Sequence, residues 1–256
     1  MQEREIEIDV TSTEKTTLIL AEPNKRAEHI VLLCHGFMSD NASTTNLELS
    51  RRLVDVGIAT CRFDFDGHGA QPRPLQEMLM SRCVQQVEAI LDWLIAEHYA
   101  QIGLLGSSYG GLIAIHGAAR RKAVKVLALK CPVSNYPPLW RDRLGESGMR
   151  FWKDNNLLTF AGLDGRARLE YGFYEDLLQF DSYKEAARID VPTLIVHGDA
   201  DTDVPFAQSE KLFEELQCEK NFETIVGADH AFSKDEDFER MLGLIFDWFV
   251  GRMGKL

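Results

Sequence analysis

Apolar residues recur along the chain with two periods, and the periods alternate. Ile6, Ile8 and Val10 alternate with polar residues, as do positions Thr16 to Leu20, which predicts two antiparallel strands forming a hairpin. His29 to Cys34 is an apolar run of the kind that makes a strand buried on both faces. From about Asn46 to Val56 the spacing predicts a helix with Leu47, Leu49, Leu53 and Val54 inward and Gly57 as its stop. Ile58 to Phe65 reads as the next strand and runs into Asp64-Phe65-Asp66-Gly67-His68-Gly69 and a proline-containing loop. Ser81 to Glu97 carries Val84, Val87, Ile90, Leu91 and Leu94 as one apolar stripe, the pattern of a helix lying on a sheet. Ile102 to Leu105, Val124 to Leu129, Thr193 to Val196 and Phe222 to Val226 supply four further strands. Gln208 to Leu216 reads as a helix, and Phe238, Met241, Leu242, Ile245, Phe246 and Phe249 form a closing amphipathic one. This alternation predicts an α/β fold with a mostly parallel central sheet flanked by helices.

One segment departs from the pattern. Between Pro132 and Asp190 no clear strand stands out, while Tyr136, Trp140, Phe151, Trp152, Phe160, Tyr171, Phe173, Tyr174, Phe180 and Tyr183 crowd together. Aromatic content this high argues against disorder. An insertion this long in a regular α/β pattern reads as a lid. The expected organisation is a core of residues 1–132 and 191–256 with a lid or cap insertion at 133–190. Most of these rings are expected to form the insertion's own small core, with a few facing the site.

Composition narrows the partners. A net charge of −12 over 256 residues lacks the clustered Lys and Arg that a nucleic-acid backbone or an anionic membrane surface requires. The five cysteines, Cys34, Cys61, Cys83, Cys131 and Cys218, are odd in number and without Cys-x-x-Cys spacing, so a disulfide framework is not expected. Met1 to Glu5 lacks the basic and apolar regions of a signal peptide, and no apolar run approaches the length of a membrane span. A reduced, cytoplasmic location is the expectation, with a homodimer as the candidate assembly.

The chemistry centres on Gly106-Ser107-Ser108-Tyr109-Gly110, which stands between the strand ending at Leu105 and the helix-forming run Leu112 to His116. A strand, a tight turn and a helix form the context in which a serine is presented at the top of a sheet. A developing negative charge there is favoured by the helix N-terminus. His197-Gly198-Asp199-Ala200-Asp201-Thr202-Asp203-Val204-Pro205 follows a later strand, and Gly227-Ala228-Asp229-His230 follows the last one. Serine, acid and histidine therefore occur in that order, each just after a strand. A serine hydroxyl needs an imidazole to take its proton, and a carboxylate to fix the imidazole tautomer.

Three acids, Asp199, Asp201 and Asp203, compete for the last role. Together with Glu210 they also imitate a calcium loop, but Val204 replaces the glycine that loop needs and a strand precedes it. Calcium is rejected. His29, His98 and His116 lack motif context, and His35, His68 and His197 read as structural. Cys34 and Cys131 lie near the expected edge, but neither stands in an elbow.

Taken together, these motifs resemble those of the α/β-hydrolases over nearly the whole chain. His35-Gly36-Phe37 is similar to the family's oxyanion loop, Gly106 to Gly110 to its elbow, His197-Gly198-x-x-Asp201-x-x-Val204-Pro205 to its acid loop, and Asp229-His230 to its histidine loop. Arg62 to Gly69 and the lid position most resemble the cinnamoyl/feruloyl esterases and the monoacylglycerol-lipase-like group. The resemblance implies a triad of Ser108, Asp201 and His230, the spacing selecting Asp201. It also implies an oxyanion hole made by the N–H groups of Phe37 and Tyr109. Main-chain donors of this kind are worth about 3 kcal/mol each. The implied activity is that of a serine carboxylesterase on small acyl or aryl esters, without metal or organic cofactor. Thioester hydrolysis and peptidase-like acyl hydrolysis are the nearest alternatives, the latter because the elbow is similar to that of prolyl-oligopeptidase-like enzymes, although no accessory β-propeller is present. A non-catalytic small-ligand-binding protein is the alternative of another class.

Overall fold

The computed structural model describes residues 2–162 and 165–253. An eight-stranded sheet runs through the molecule in the order β1 (Gln2–Asp9), β2 (Lys15–Glu22), β4 (Ala59–Phe63), β3 (His29–Cys34), β5 (Gln101–Ser107), β6 (Val124–Lys130), β9 (Thr193–Gly198), β10 (Lys220–Ile225). β1 pairs antiparallel with β2, and β2 antiparallel with β4; every other pairing in this sheet is parallel. The expected hairpin and mostly parallel sheet are therefore both present.

Apolar runs on the central strands serve two cores at once. Ile30, Leu32 and Cys34 of β3 enter one buried cluster, shared with α2 (Met80–Ala96) and α3 (Tyr109–Arg120). Val31 and Leu33 enter the other, shared with α1 (Thr44–Asp55) and α8 (Asp235–Met253). Alternate side chains pointing to opposite faces, both covered by helices, require a continuous apolar run. The predicted stripe of α2 is buried along its length. In α1 Leu49, Leu53 and Val54 are buried as expected, with Asn46 and Ser50 completing their stripe, but Leu47 is 44% exposed because it lies off that face. Ser50, on the buried face, hydrogen-bonds Thr60 of β4.

Between β6 and β9 lie α4 (Tyr136–Asn155), β7 (Leu158–Gly162), β8 (Gly165–Leu169), α5 (Tyr171–Leu177) and α6 (Ser182–Ala186). α7 (Phe206–Glu215) follows β9. The antiparallel β7–β8 pair corrects the expectation that this segment holds no strand. Its rings also do not form a core of their own. Trp140, Trp152, Phe173 and Tyr174 belong to the same contiguous buried cluster as α2 and α3. Gly145 interrupts α4 with a φ of 62°, so its two halves change direction there.

The parallel strands bring the ends of β3, β5, β9 and β10 to one edge. β3 leads outward to β4 on one side, whereas β5 is followed by β6 on the other. The loops after β3 and β5 thus diverge at a topological switch point, where open α/β sheets leave a crevice.

Candidate active site

Ser108 occupies the turn between β5 and α3 with φ 52° and ψ −115°. That conformation is costly for a residue with a Cβ and survives only where its surroundings impose it. Here they do. A Cβ on Gly106 would stand 2.5 Å from the carbonyl oxygen of Gly110, and one on Gly110 would overlap the carbonyl oxygens of Cys34 and His35. Gly110→Ala is accordingly expected to force β3 away from α3 and cost roughly 1–3 kcal/mol. A urea midpoint equal to that of the wild type would contradict this tight approach.

The structure brings Ser108, His230 and Asp201 together. Ser108 Oγ lies 3.0 Å from His230 Nε2, and His230 Nδ1 lies 2.6 Å from Asp201 Oδ2. The carboxylate only accepts, so the imidazole donates from Nδ1 and presents the bare Nε2 to the serine hydroxyl. Asp201 Oδ1 accepts the N–H groups of Asp203 at 2.8 Å and Val204 at 2.9 Å. Burial pushes the Asp201 carboxyl up, but hydrogen bonds from His197 and His230 prevail and hold it well below the usual carboxylate range. The competing acids stand elsewhere. Asp199 accepts from the N–H of Gly227, and Asp203 lies 3.8 Å from Arg143.

Phe37 and Tyr109 flank the serine. Tyr109 opens α3, so its N–H is one of the donors a helix leaves free. The loop carrying Phe37 passes close by: a Cβ on Gly36 would lie 4.0 Å from Ser108 Oγ. Two neutral histidines tie that loop down. His35 Nε2 accepts from Phe65 N–H at 2.9 Å, and His68 Nε2 accepts from Met38 N–H at 3.1 Å. Burial lowers both, each to about 4, and lowers His116 to about 4 as well.

These three depressed values set a pH window. The unfolded chain takes up the protons below about pH 6.5, whereas the folded chain refuses them until about pH 4. Stability is therefore complete above pH 6.5 and lost progressively down to pH 4, by up to about 3 kcal/mol per histidine. Asp201 adds its own loss only at still lower pH. Urea midpoints measured from pH 7.5 to 4 should fall across that window, and a flat profile would contradict it.

The aromatic ring of Phe37 lies 6.3 Å from Tyr136, 6.2 Å from Trp140, 6.1 Å from Phe160 and 6.2 Å from Phe173, centroid to centroid. The segment between β6 and β9 therefore meets the loop after β3 beside Ser108.

Three neighbours make contacts at the site that the chain alone does not assign to them. His197, read as structural, is fully buried with Nε2 2.9 Å from Asp201 Oδ2 and Nδ1 2.7 Å from Ser209 Oγ. Cys131 shares the site: its Sγ, a carboxylate oxygen of Asp201 and a ring nitrogen of His230 lie within 4.8 Å of one another. Among the described residues this is the one convergent group with metal-donor chemistry, and its carboxylate and imidazole are already engaged in hydrogen bonds. Burial pushes the Cys131 thiol up to about 12, which suits a packed thiol rather than a nucleophile. Lys130, also buried and lowered by its burial, directs Nζ to the carbonyl of His230 at 3.5 Å and over the Phe232 ring at 5.1 Å. The acid-loop motif contains His197, but nothing in its spacing tells that the imidazole grips Asp201, and no motif contains Lys130 or Cys131.

A sequence profile of the prolyl oligopeptidase family matches residues 53–256. The chain belongs to the prolyl oligopeptidase family. Membership places it among hydrolytic enzymes, and the matched region contains the elbow, the acid loop and the histidine loop but not the loop after β3. Within curated proteins this family member is 20% identical to a 31.7 kDa protein of the traX–finO intergenic region of Escherichia coli, over 93% of this chain and 96% of that one. Among solved structures it is similar to Est1E from Butyrivibrio proteoclasticus with bound ferulic acid, at a TM-score of 0.84 and 22% identity, covering 97% of this chain and 99% of that chain. It is similar to the mouse alpha/beta hydrolase domain-containing protein 10, at a TM-score of 0.81 and 18% identity, covering 95% and 97%. The esterase domain of a Rhodothermus marinus protein matches at a TM-score of 0.74 and 21% identity, covering 99% and 100%. These likenesses identify the α/β-hydrolase fold. Among the described residues no helix is long and apolar enough to cross a membrane.

Proposed function

We propose that this prolyl oligopeptidase family member is a serine carboxylesterase acting on small acyl or aryl esters. The observation that carries the reading is the unbroken line from Ser108 Oγ through His230 to Asp201 Oδ2, at 3.0 and 2.6 Å. In the proposed reaction His230 Nε2 takes the Ser108 proton as Oγ attacks the ester carbonyl. The N–H groups of Phe37 and Tyr109 hold the resulting oxyanion, and His230 returns the proton to the departing alcohol. Water, deprotonated by the same imidazole, then attacks the acyl-enzyme, and Ser108 recovers its proton as the acid leaves. In this reading the segment 133–190 acts as the lid, and its rings around Phe37 form the wall that meets the acyl group. Est1E holds ferulic acid, an aryl acid, which supports an aryl or short acyl group here.

The family match favours a second reading, hydrolysis of an amide bond in a short peptide by the same serine. The two separate in one assay. Wild-type protein is offered p-nitrophenyl esters from acetate to palmitate alongside X-Pro p-nitroanilides, and a fluorophosphonate probe reports the modified residue by mass spectrometry. The ester reading expects turnover with a short or aryl optimum and modification of Ser108. Anilide cleavage with weak ester turnover would replace it by the peptidase reading. An unmodified protein without turnover would remove both and leave a ligand-binding role.

A further inference from the structure

The carboxylate of Asp201 has more partners than a triad acid needs. Its Oδ1 takes two backbone N–H groups, and its Oδ2 takes two imidazoles, His230 Nδ1 at 2.6 Å and His197 Nε2 at 2.9 Å. His197 is itself held from behind. Its Nδ1 meets Ser209 Oγ at 2.7 Å, and the Phe206 ring packs on it at 5.4 Å between centroids. Neither His197 nor Ser209 has any exposed surface. An ionised carboxylate cannot donate, so Nε2 of His197 must carry a proton and donate it to Oδ2, while the Ser209 hydroxyl holds the ring from its other nitrogen.

We infer that His197, held from behind by Ser209, is a positioning residue for the triad: it pins Asp201 Oδ2 and limits how firmly that oxygen holds the proton of His230. The inference rests on the esterase reading of Ser108, Asp201 and His230. Two effects follow from one contact. Two donors on each oxygen stop the carboxylate from turning, so Oδ2 stays aligned with the His230 ring through the reaction. The second donor also draws charge from Oδ2, so the short His230 bond does not become a resting place for the proton. Other charged or titratable groups facing the pair are Lys130 and Cys131 at the end of β6, Asp229 beside His230, and Asp203 with Arg143 on α4. All are retained in the variants below.

The test is steady-state ester hydrolysis across pH 4.5 to 9 with wild type, His197→Phe and His197→Gln. His197→Phe keeps the packing and removes the donor. It is expected to lower kcat roughly tenfold with KM unchanged, and to move the acid limb of kcat/KM upward by about half a unit. His197→Gln, whose side-chain N–H reaches the same oxygen, should restore both. A folded His197→Phe variant with the wild-type limb and turnover would overturn the inference, as would failure of a folded His197→Gln to recover either. Should His197→Phe not fold, proton NMR of wild type labelled with 15N-histidine decides. The expected spectrum has His197 protonated on Nε2, and a bare Nε2 would overturn the inference. Fluorophosphonate modification of wild-type Ser108 is scored separately. Its absence would count against the esterase reading, whereas its presence with an unaltered His197→Phe would count against this inference alone.

Discussion

Ser108→Ala is expected to lower hydrolysis of p-nitrophenyl butyrate on the order of 10⁵-fold, with the fold intact. The magnitude follows from the chemistry proposed for the site. Without Oγ there is no acyl-enzyme, and what remains is attack by water assisted by the oxyanion donors and His230. The intact fold follows from the contacts: the serine hydroxyl has one partner, His230 Nε2 at 3.0 Å, and alanine meets the same backbone strain at φ 52° as serine. Turnover and the circular dichroism melting curve, measured on the same preparations, check both halves. Turnover within tenfold of wild type would assign the nucleophile elsewhere.

Asp201→Asn should cost on the order of 10⁴-fold in kcat, again without unfolding. The surroundings dictate which way the amide sits. Backbone N–H groups of Asp203 and Val204 point at Oδ1, so the asparagine carbonyl must stay there, leaving the amide NH₂ where Oδ2 was. That NH₂ faces His230 Nδ1 and His197 Nε2, which must both then accept rather than donate, His197 giving its proton from Nδ1 to Ser209 Oγ instead. The His230 ring proton moves to Nε2, and the base that Ser108 needs is gone. A pH profile of the residual activity checks the account. Undiminished turnover would shift the acid role to another carboxylate, with Asp199 and Asp203 the neighbours to test.

Much of this was written in the chain, for reasons that differ from place to place. β3 is legible because burial on both faces demands an unbroken apolar run, and β6 because Val126 to Leu129 keeps that run after the exposed Lys125. The elbow is legible because a strained serine between close-packed elements needs glycine at Gly106 and Gly110. The β7–β8 pair escapes apolar counting because each strand is five residues long with a single buried residue, and β7 ends and β8 begins at a glycine, Gly162 and Gly165. Leu47 is exposed because the buried stripe runs through Asn46, Leu49, Ser50, Leu53 and Val54, two of them polar positions that apolar counting passes over. His197 was invisible for another reason. An imidazole at the end of a buried strand looks the same whether it fills space or grips a carboxylate, and only the position of Asp201 four residues later, after the turn, tells them apart.

Phe37 joins two tasks that many enzymes keep apart. Its side chain stands among the rings of Tyr136, Trp140, Phe160 and Phe173, while its N–H is, in the proposed mechanism, one of the two oxyanion donors. Tyr109, bearer of the other donor, packs its ring against the same Phe37 at 6.1 Å. An acyl group that fits badly between these rings would therefore tilt the donors as well as lose contact. Discrimination between esters would then emerge during bond breaking, with good and poor substrates held about equally well but acylated at very different speeds.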